Sequence, residues 1–199
     1  MRRRLVAQLA VLVAAATTTF VAVGAARGDG SSSRAPRLRF VQDVPDDVRR
    51  ASDATFERFL ERFAGRAACV DNVSVELVRA VDGGDARYVA GDRRIEIRIP
   101  TTPRRYEESL AHELAHHLER TCDEFEPLRV ALEPLLGGDE VAWASGPVWE
   151  EIPSERFAEA VVELVNGARI RHTDTVAVDP AAREVIARWG TGEQLDIGR

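Results

Sequence analysis

The pattern of hydrophobic and polar positions predicts a helix, then a small sheet. Within residues 46–65 apolar side chains recur every three or four positions, which is typical of an amphipathic helix beginning after Pro45. Residues 73–81, VSVELVRAV, alternate between apolar and polar as a half-buried strand does. Residues 87–90 and 94–99 flank a Gly-Asp turn and predict a β-hairpin.

The second half of the chain is predicted to be mainly helical. The predicted helices are residues 104–121, residues 126–136 with a break at two prolines, residues 154–166, and residues 180–189. Residues 137–152 have the composition of a loop. A helix, a short antiparallel sheet and then helices are typical of an α+β fold, which we expect as a single domain over residues 38–199.

The N-terminal segment has the order of an export signal. Three arginines follow Met1, residues 5–26 carry no charge, and small residues precede Arg27. The uncharged run also has about the length of a membrane-spanning helix, roughly 20 residues. We therefore predict a signal peptide or a signal anchor over residues 1–26 and a flexible linker over residues 27–37. The protein is expected to be secreted or extracytoplasmic, with membrane attachment only if the segment is retained.

Composition and charge limit the function classes. A chain of 199 residues with 45% hydrophobic and 30% charged residues suits a soluble globular domain. A net charge of -6 argues against nucleic-acid binding through phosphate contacts. We expect a monomer whose partners are peptides or proteins.

Two cysteines, Cys69 and Cys122, are present. In an exported protein an even pair predicts one disulfide bond. The alternative is that Cys122, six residues after His116, is a metal ligand.

Three of the four histidines lie in the stretch HELAHHLE, residues 112–119. On a helix, His112 and His116 lie one turn apart on the same face, so both imidazoles can reach one ion. Zinc accepts neutral imidazole nitrogens and, in a catalytic site, keeps one position for water. Glu113 follows the first histidine and is placed to act as general base on that water. The stretch therefore predicts a catalytic site with one zinc ion.

The other two histidines are outside this predicted ligand pair. His117 is about 100° round the helix from His116, so we expect it to pack in the core or behind the metal ligands. His172 is predicted to be a surface residue, and the alternative is that it contacts the substrate or binds the metal.

A third protein ligand is expected because two histidines alone hold a catalytic zinc poorly. The pattern HExxHxxGxxH is absent, since Glu119 and Cys122 stand at the positions of its glycine and third histidine. Glu155 and Glu159 are four residues apart on one face of a downstream helix. Glu151, just before that helix, is the alternative ligand.

The chain resembles the gluzincin class of zinc metallopeptidases over residues 94–167, through HELAH followed by a helix with glutamates. The segment ERFAE, residues 155–159, is similar to the ExFAE motif in the peptidase domain of the anthrax lethal factor family. The resemblance implies a zincin-like domain in which Glu159 orients a ligand histidine. The zinc ligands that it implies are His112, His116 and Glu155. An ExxAD-like match to other gluzincins would make Glu151 the third ligand instead.

These features predict an exported zinc-dependent metallopeptidase that hydrolyses peptide bonds with a Glu-activated, zinc-bound water. We expect the strand at residues 94–99 to border the cleft and to pair with an extended substrate. Neither Tyr88 nor Tyr106 is assigned a role in the reaction. The rival prediction is a zinc-stabilised, catalytically inactive binding module of the cell envelope, in which the metal only supports the fold.

Overall fold

The structure, a computed structural model, describes residues 35–137, 142–167 and 178–195. The predicted export segment at residues 1–26, most of the predicted linker at residues 27–37, and His172 lie outside the described residues. In chain order, the strands and α-helices are β1 Leu38–Phe40, α1 Asp46–Arg62, β2 Val73–Val78, β3 Ala86–Val89, β4 Arg94–Arg98, α2 Pro103–Thr121, α3 Phe125–Leu136, α4 Pro153–Asn166 and α5 Pro180–Gly190. Within the described ranges, no helix has the length and apolar character needed to cross a bilayer.

The four strands form one mixed sheet in the order β1-β2-β4-β3. The predicted hairpin is confirmed, because β3 and β4 are antiparallel neighbours. The prediction of an antiparallel sheet is otherwise wrong, since β2 pairs in parallel with both β1 and β4. After β2 the chain forms β3 at the end of the sheet, and β4 then lies between β2 and β3. Helices and this small sheet together are compatible with the predicted α+β class.

Helix α2 lies at the centre of the fold. It packs against α1, α4 and both strands of the hairpin. Leu110, Leu114 and Leu118 on its inner face are completely buried, as their spacing of four residues predicts. The apolar face of the sheet contributes Val75, Ile95 and Ile97 to the same core. The opposite side of α2 is thereby held in a fixed orientation toward α4.

Proline positions define the two helices that follow α2. Helix α3 runs unbroken from Phe125 to Leu136, so the predicted break is wrong. Pro127 lies in the first turn, where a missing N–H removes no helical hydrogen bond, and Pro134 lies in the last turn. Helix α4 begins at Pro153, as predicted, and ends before Gly167, whose φ of 81° favours glycine.

Cys69 and Cys122 form a disulfide bond between positions 53 residues apart. It joins the 3-10 helix Ala64–Cys69, which follows α1, to the C-terminal end of α2. The predicted pairing is confirmed. The alternative role of Cys122 as a metal ligand is wrong, because a disulfide sulfur offers no thiolate.

Replacing both cysteines, Cys69→Ala with Cys122→Ala, is expected to lower the free energy of unfolding by about 4 kcal/mol. A cross-link over this span removes conformational entropy from the unfolded chain. Denaturant unfolding of both proteins without reductant measures the difference. The wild-type protein in reductant should approach the double variant, and coincident curves for all three samples would contradict the prediction.

Candidate metal centre

Helices α2 and α4 bring two histidines and one glutamate to a common point. The Nε2 atoms of His112 and His116 are 3.2 Å apart. Glu155, in the first turn of α4, places Oε2 3.0 Å from Nε2 of His112 and 3.5 Å from Nε2 of His116. Each of the three side chains offers one ligand atom within 4.8 Å of the other two. The structure therefore gathers the three residues that the sequence motifs select.

A carboxylate contacts the second ring nitrogen of each histidine. Nδ1 of His112 lies 3.1 Å from Oε1 of Glu159, and Nδ1 of His116 lies 3.3 Å from Oε2 of Glu119. A carboxylate only accepts hydrogen bonds, so Nδ1 of each neutral ring carries the proton and donates it. Both Nε2 atoms then direct a lone pair toward the oxygen of Glu155.

This arrangement of donors fits a divalent cation. Two imidazole lone pairs and a carboxylate oxygen converge, and each neutral ring has used its one proton at Nδ1. Lone pairs at this separation repel each other unless positive charge lies between them. In the described part of the chain no arginine contacts Glu155. Its negative charge can therefore be balanced only by positive charge on the two histidines or by a cation between them.

The pKa shifts at the centre express the same preference for positive charge. Burial opposes ionisation of Glu155, but hydrogen bonds and positive charge from the imidazoles of His112 and His116, in their protonated form, outweigh burial and hold the pKa of Glu155 far below its usual value. Burial likewise opposes the charge on His116, yet its contacts with Glu119 and Glu155 raise the pKa of that imidazole. The low pKa of Glu155 thus depends on positive charge beside it, which a bound cation would supply when the two rings are neutral.

Glu113 has the opposite environment. It is 5% exposed, and this burial raises the pKa of its carboxyl group, with only partial compensation from the neighbouring histidines. The nearby backbone N–H of Tyr88, in β3, also favours the ionised form of Glu113, but its effect on the pKa is smaller than that of burial. A carboxylate with a raised pKa accepts a proton more readily at neutral pH, which is the property that a general base needs.

A cleft of about 750 Å³ lies over these residues and opens to solvent. On one side it is bordered by the turn at residues 82–85 and by β3, and on the other by α4 and Trp149. The Trp149 indole stacks on His112 with ring centroids 6.0 Å apart and is 42% exposed. The candidate ligands and Glu113 line the floor of this cleft.

The strand along the cleft is β3, and the prediction that residues 94–99 pair with a substrate is wrong. Strand β4 is hydrogen-bonded to β2 on one side and to β3 on the other, so neither of its edges is free. Strand β3 is at the end of the sheet, and Ala86 and Tyr88 line the cleft. Alternation of apolar residues marks a strand but does not show its position in a sheet.

Glu151, the alternative third ligand, does not join the ligand group. It lies in the 3-10 helix Trp149–Glu151, before α4, and is exposed. Because α4 begins at Pro153, Glu155 instead faces α2 from the first helical turn.

His117 lies in the core, away from the ligand atoms. It is completely buried, and its Nδ1 is 2.9 Å from the hydroxyl oxygen of Tyr88. Its partner is thus the edge strand β3 and not a ligand histidine. The other tyrosine, Tyr106, is buried, with its hydroxyl 2.7 Å from that of Ser52.

Sequence reasoning missed two residues beside His116. Glu119 contacts the ring, as described above, and the indole Nε1 of Trp143 donates a hydrogen bond of 2.9 Å to the other oxygen of Glu119. The three-residue spacing between His116 and Glu119 was a visible signal for contact on a helix. No local pattern indicates Trp143, because it lies in the segment between α3 and α4.

No protein-family model, curated protein or solved structure matches this chain. The resemblance to gluzincins consequently depends on the two short motifs, HELAH and ERFAE, and on the positions of their side chains.

Stability is expected to rise between pH 4 and pH 6.5 because of His117. Burial lowers the pKa of this imidazole to about 4, compared with about 6.5 in an unfolded chain. The unfolded state therefore binds the proton more strongly. The contribution of His117 to the free energy of unfolding is fully present above pH 6.5 and is lost as the pH falls toward 4.

His117→Gln is expected to remove that part of the pH dependence, which amounts to about 2–3 kcal/mol near pH 4.5. Denaturant unfolding of both proteins at pH 7, 5.5 and 4.5 measures it, and every titratable group other than residue 117 is common to the two proteins. A constant stability difference across the three pH values would rule the assignment out.

Proposed function

We propose that the chain is an exported zinc metallopeptidase of the gluzincin type, with a zincin-like domain. The observation that carries this proposal is the convergence of His112, His116 and Glu155 on one point beside a buried Glu113, on the floor of an open cleft. Two imidazoles and one carboxylate are a ligand set that zinc takes in catalytic sites, where the fourth position remains for water.

The reaction is hydrolysis of a peptide bond. His112, His116 and Glu155 would hold a zinc ion, which would supply a Lewis acid for the scissile carbonyl and for the attacking water. Glu113 accepts a proton from the attacking water as its oxygen bonds to the carbonyl carbon. The same carboxyl then gives the proton to the leaving nitrogen as the C–N bond breaks. The raised pKa of Glu113 suits both transfers.

The substrate is an extended peptide that adds to the outer edge of β3, which pairs with no other strand in the described ranges. An edge strand offers backbone N–H and C=O groups to an incoming chain, and β3 lines the cleft beside Glu113. Tyr88 of β3 and Glu113 line the same cleft, so a peptide on that edge would lie close to the base. The exposed Trp149 supplies an apolar surface on the opposite border.

Export remains part of the proposal, and the disulfide bond supports it. Disulfide bonds persist in oxidising compartments outside the cytoplasm, in agreement with the signal-like order of residues 1–26. Sequencing the N-terminus of the mature protein distinguishes a cleaved signal peptide from a retained anchor.

The open cleft favours the enzyme over an inactive zinc-stabilised module. Structural zinc sites are closed by four protein ligands, whereas the described residues bring three to this point, on the floor of a cleft that is open to solvent. A buried general base beside the ligands has no purpose in a site that only supports the fold.

Glu113→Gln is expected to retain zinc and to lower kcat/KM at least 100-fold, because the amide has nearly the same shape but does not accept the proton. Zinc content and hydrolysis of a peptide mixture are measured on the same samples. Glu57→Gln, on the exposed face of α1, is the matched control and should leave both values unchanged. Bound zinc with wild-type turnover would reject Glu113 as the base.

Glu155→Ala is expected to weaken zinc binding more than tenfold, and Glu151→Ala is expected to leave it unchanged. The first substitution removes an oxygen that lies 3.0 Å from a histidine nitrogen, and the second removes an exposed side chain outside the group. Chelator competition with the purified proteins measures the affinity. The reverse order of the two effects would make Glu151 the third ligand.

A further inference from the structure

Glu119 uses both of its carboxylate oxygens as acceptors. Oε2 lies 3.3 Å from Nδ1 of His116, and Oε1 accepts the 2.9 Å hydrogen bond from the indole of Trp143. The side chain is 7% exposed, so neither contact is a solvated surface pair. An indole N–H only donates, which fixes the oxygen facing Trp143 as an acceptor.

Trp143 also contacts the helix that carries Glu155. Its backbone carbonyl accepts a 2.9 Å hydrogen bond from the N–H of Ser154, in the first turn of α4. First-turn N–H groups have no partner inside their own helix, and Ile152 at the N-cap position has no capping side chain. The backbone carbonyl of Trp143 therefore acts as a helix cap for Ser154, the residue before Glu155.

The indole of Trp143 is held by aromatic neighbours. Its ring centroid lies 5.8 Å from that of Phe125 in α3 and 6.4 Å from that of Phe157 in α4. A tryptophan fixed in this way holds its indole N–H and its backbone carbonyl in defined directions. One residue thus connects the partner of His116, through its indole, to the start of the helix that provides Glu155, through its backbone carbonyl.

We propose that Glu119 and Trp143 are a positioning pair that sets the ring of His116 and the N-terminal turn of α4 for metal binding. The inference rests on the proposed function, because it requires a cation at the centre. Hydrogen-bond partners of ligand histidines fix the tautomer and the ring orientation, and their loss typically weakens metal binding about 10- to 100-fold. The pair does the same for His116 as Glu159 does for His112.

Only a carboxylate satisfies both neighbours of residue 119. An amide has one acceptor oxygen, so in Glu119→Gln the NH₂ group must face either the Nδ1–H of His116 or the indole N–H of Trp143. Either orientation sets a donor against a donor. Trp143→Phe removes one of these donors, and the amide oxygen can then accept from His116 without conflict.

The test is a double-mutant cycle on the full chain. Zinc affinity is measured by chelator competition for the wild-type protein, Glu119→Gln, Trp143→Phe and the combined variant. We expect Glu119→Gln to weaken zinc binding at least tenfold in the wild-type background and by a clearly smaller factor in the Trp143→Phe background. Trp143→Phe alone should weaken binding as well.

Trp189→Phe is the matched control for packing. Trp189 belongs to the same aromatic group, with its ring 5.9 Å from Phe125, and its indole N–H faces the carbonyl of Glu124. This variant should lower the unfolding temperature and leave zinc affinity at the wild-type value.

The outcomes separate the inference from the proposed function. A wild-type chain that binds one zinc ion, with the same affinity in Glu119→Gln and Trp143→Phe, would overturn the positioning pair and leave the proposed enzyme intact. A wild-type chain that binds no zinc would overturn both. Equal losses of zinc affinity in Trp143→Phe and Trp189→Phe would assign Trp143 to packing alone. Purely additive effects of Glu119→Gln and Trp143→Phe on zinc affinity would do the same.

Discussion

The interaction on which the rest depends is the meeting of two imidazole lone pairs with the carboxylate of Glu155. His112 and His116 are fixed relative to each other by one helical turn, so their separation needs no tertiary contact. The glutamate does need one, because it comes from α4. The packing of α4 against α2, and of α2 against the sheet, therefore determines whether the centre forms. The disulfide at the end of α2 holds the same helix on its other side.

The charges around this cluster support the proposal that it is a functional site and not a part of the core. Glu113, Glu119 and Glu155 lie around two imidazoles, and in the described residues none of these three has an arginine partner. Buried carboxylates without compensating charge are costly, so such a group persists in a fold when a cation or a reaction uses it. By contrast, Glu96 on the sheet is buried against two arginines and needs no further partner.

Local patterns predicted the helices that carry the site, and nonlocal contacts account for what they missed. Helix α4 was predictable because Pro153 and Gly167 mark its ends, and that start also places Glu155 toward α2 while Glu151 stays outside. Strand order was not predictable, because β1 has only three residues and the pairing of β2 with β4 depends on a crossing connection. Trp143 was not predictable either, since its two hydrogen bonds reach separate helices from a loop.

Among the described residues β3 is the last strand of the sheet, and it contacts α2, the helix that carries the candidate ligand histidines. Tyr88 contributes to this contact through its hydroxyl, which lies 2.9 Å from Nδ1 of the buried His117. Asp85, at the start of the hairpin, also pairs with Arg105 in the first turn of α2. In the proposed enzyme, a peptide that pairs with β3 would therefore be aligned with Glu113 and the candidate ligands without a rearrangement of the fold. Because α2 and the elements packed against it hold these groups, residues as distant in sequence as Tyr88 and Trp143 lie around one candidate centre.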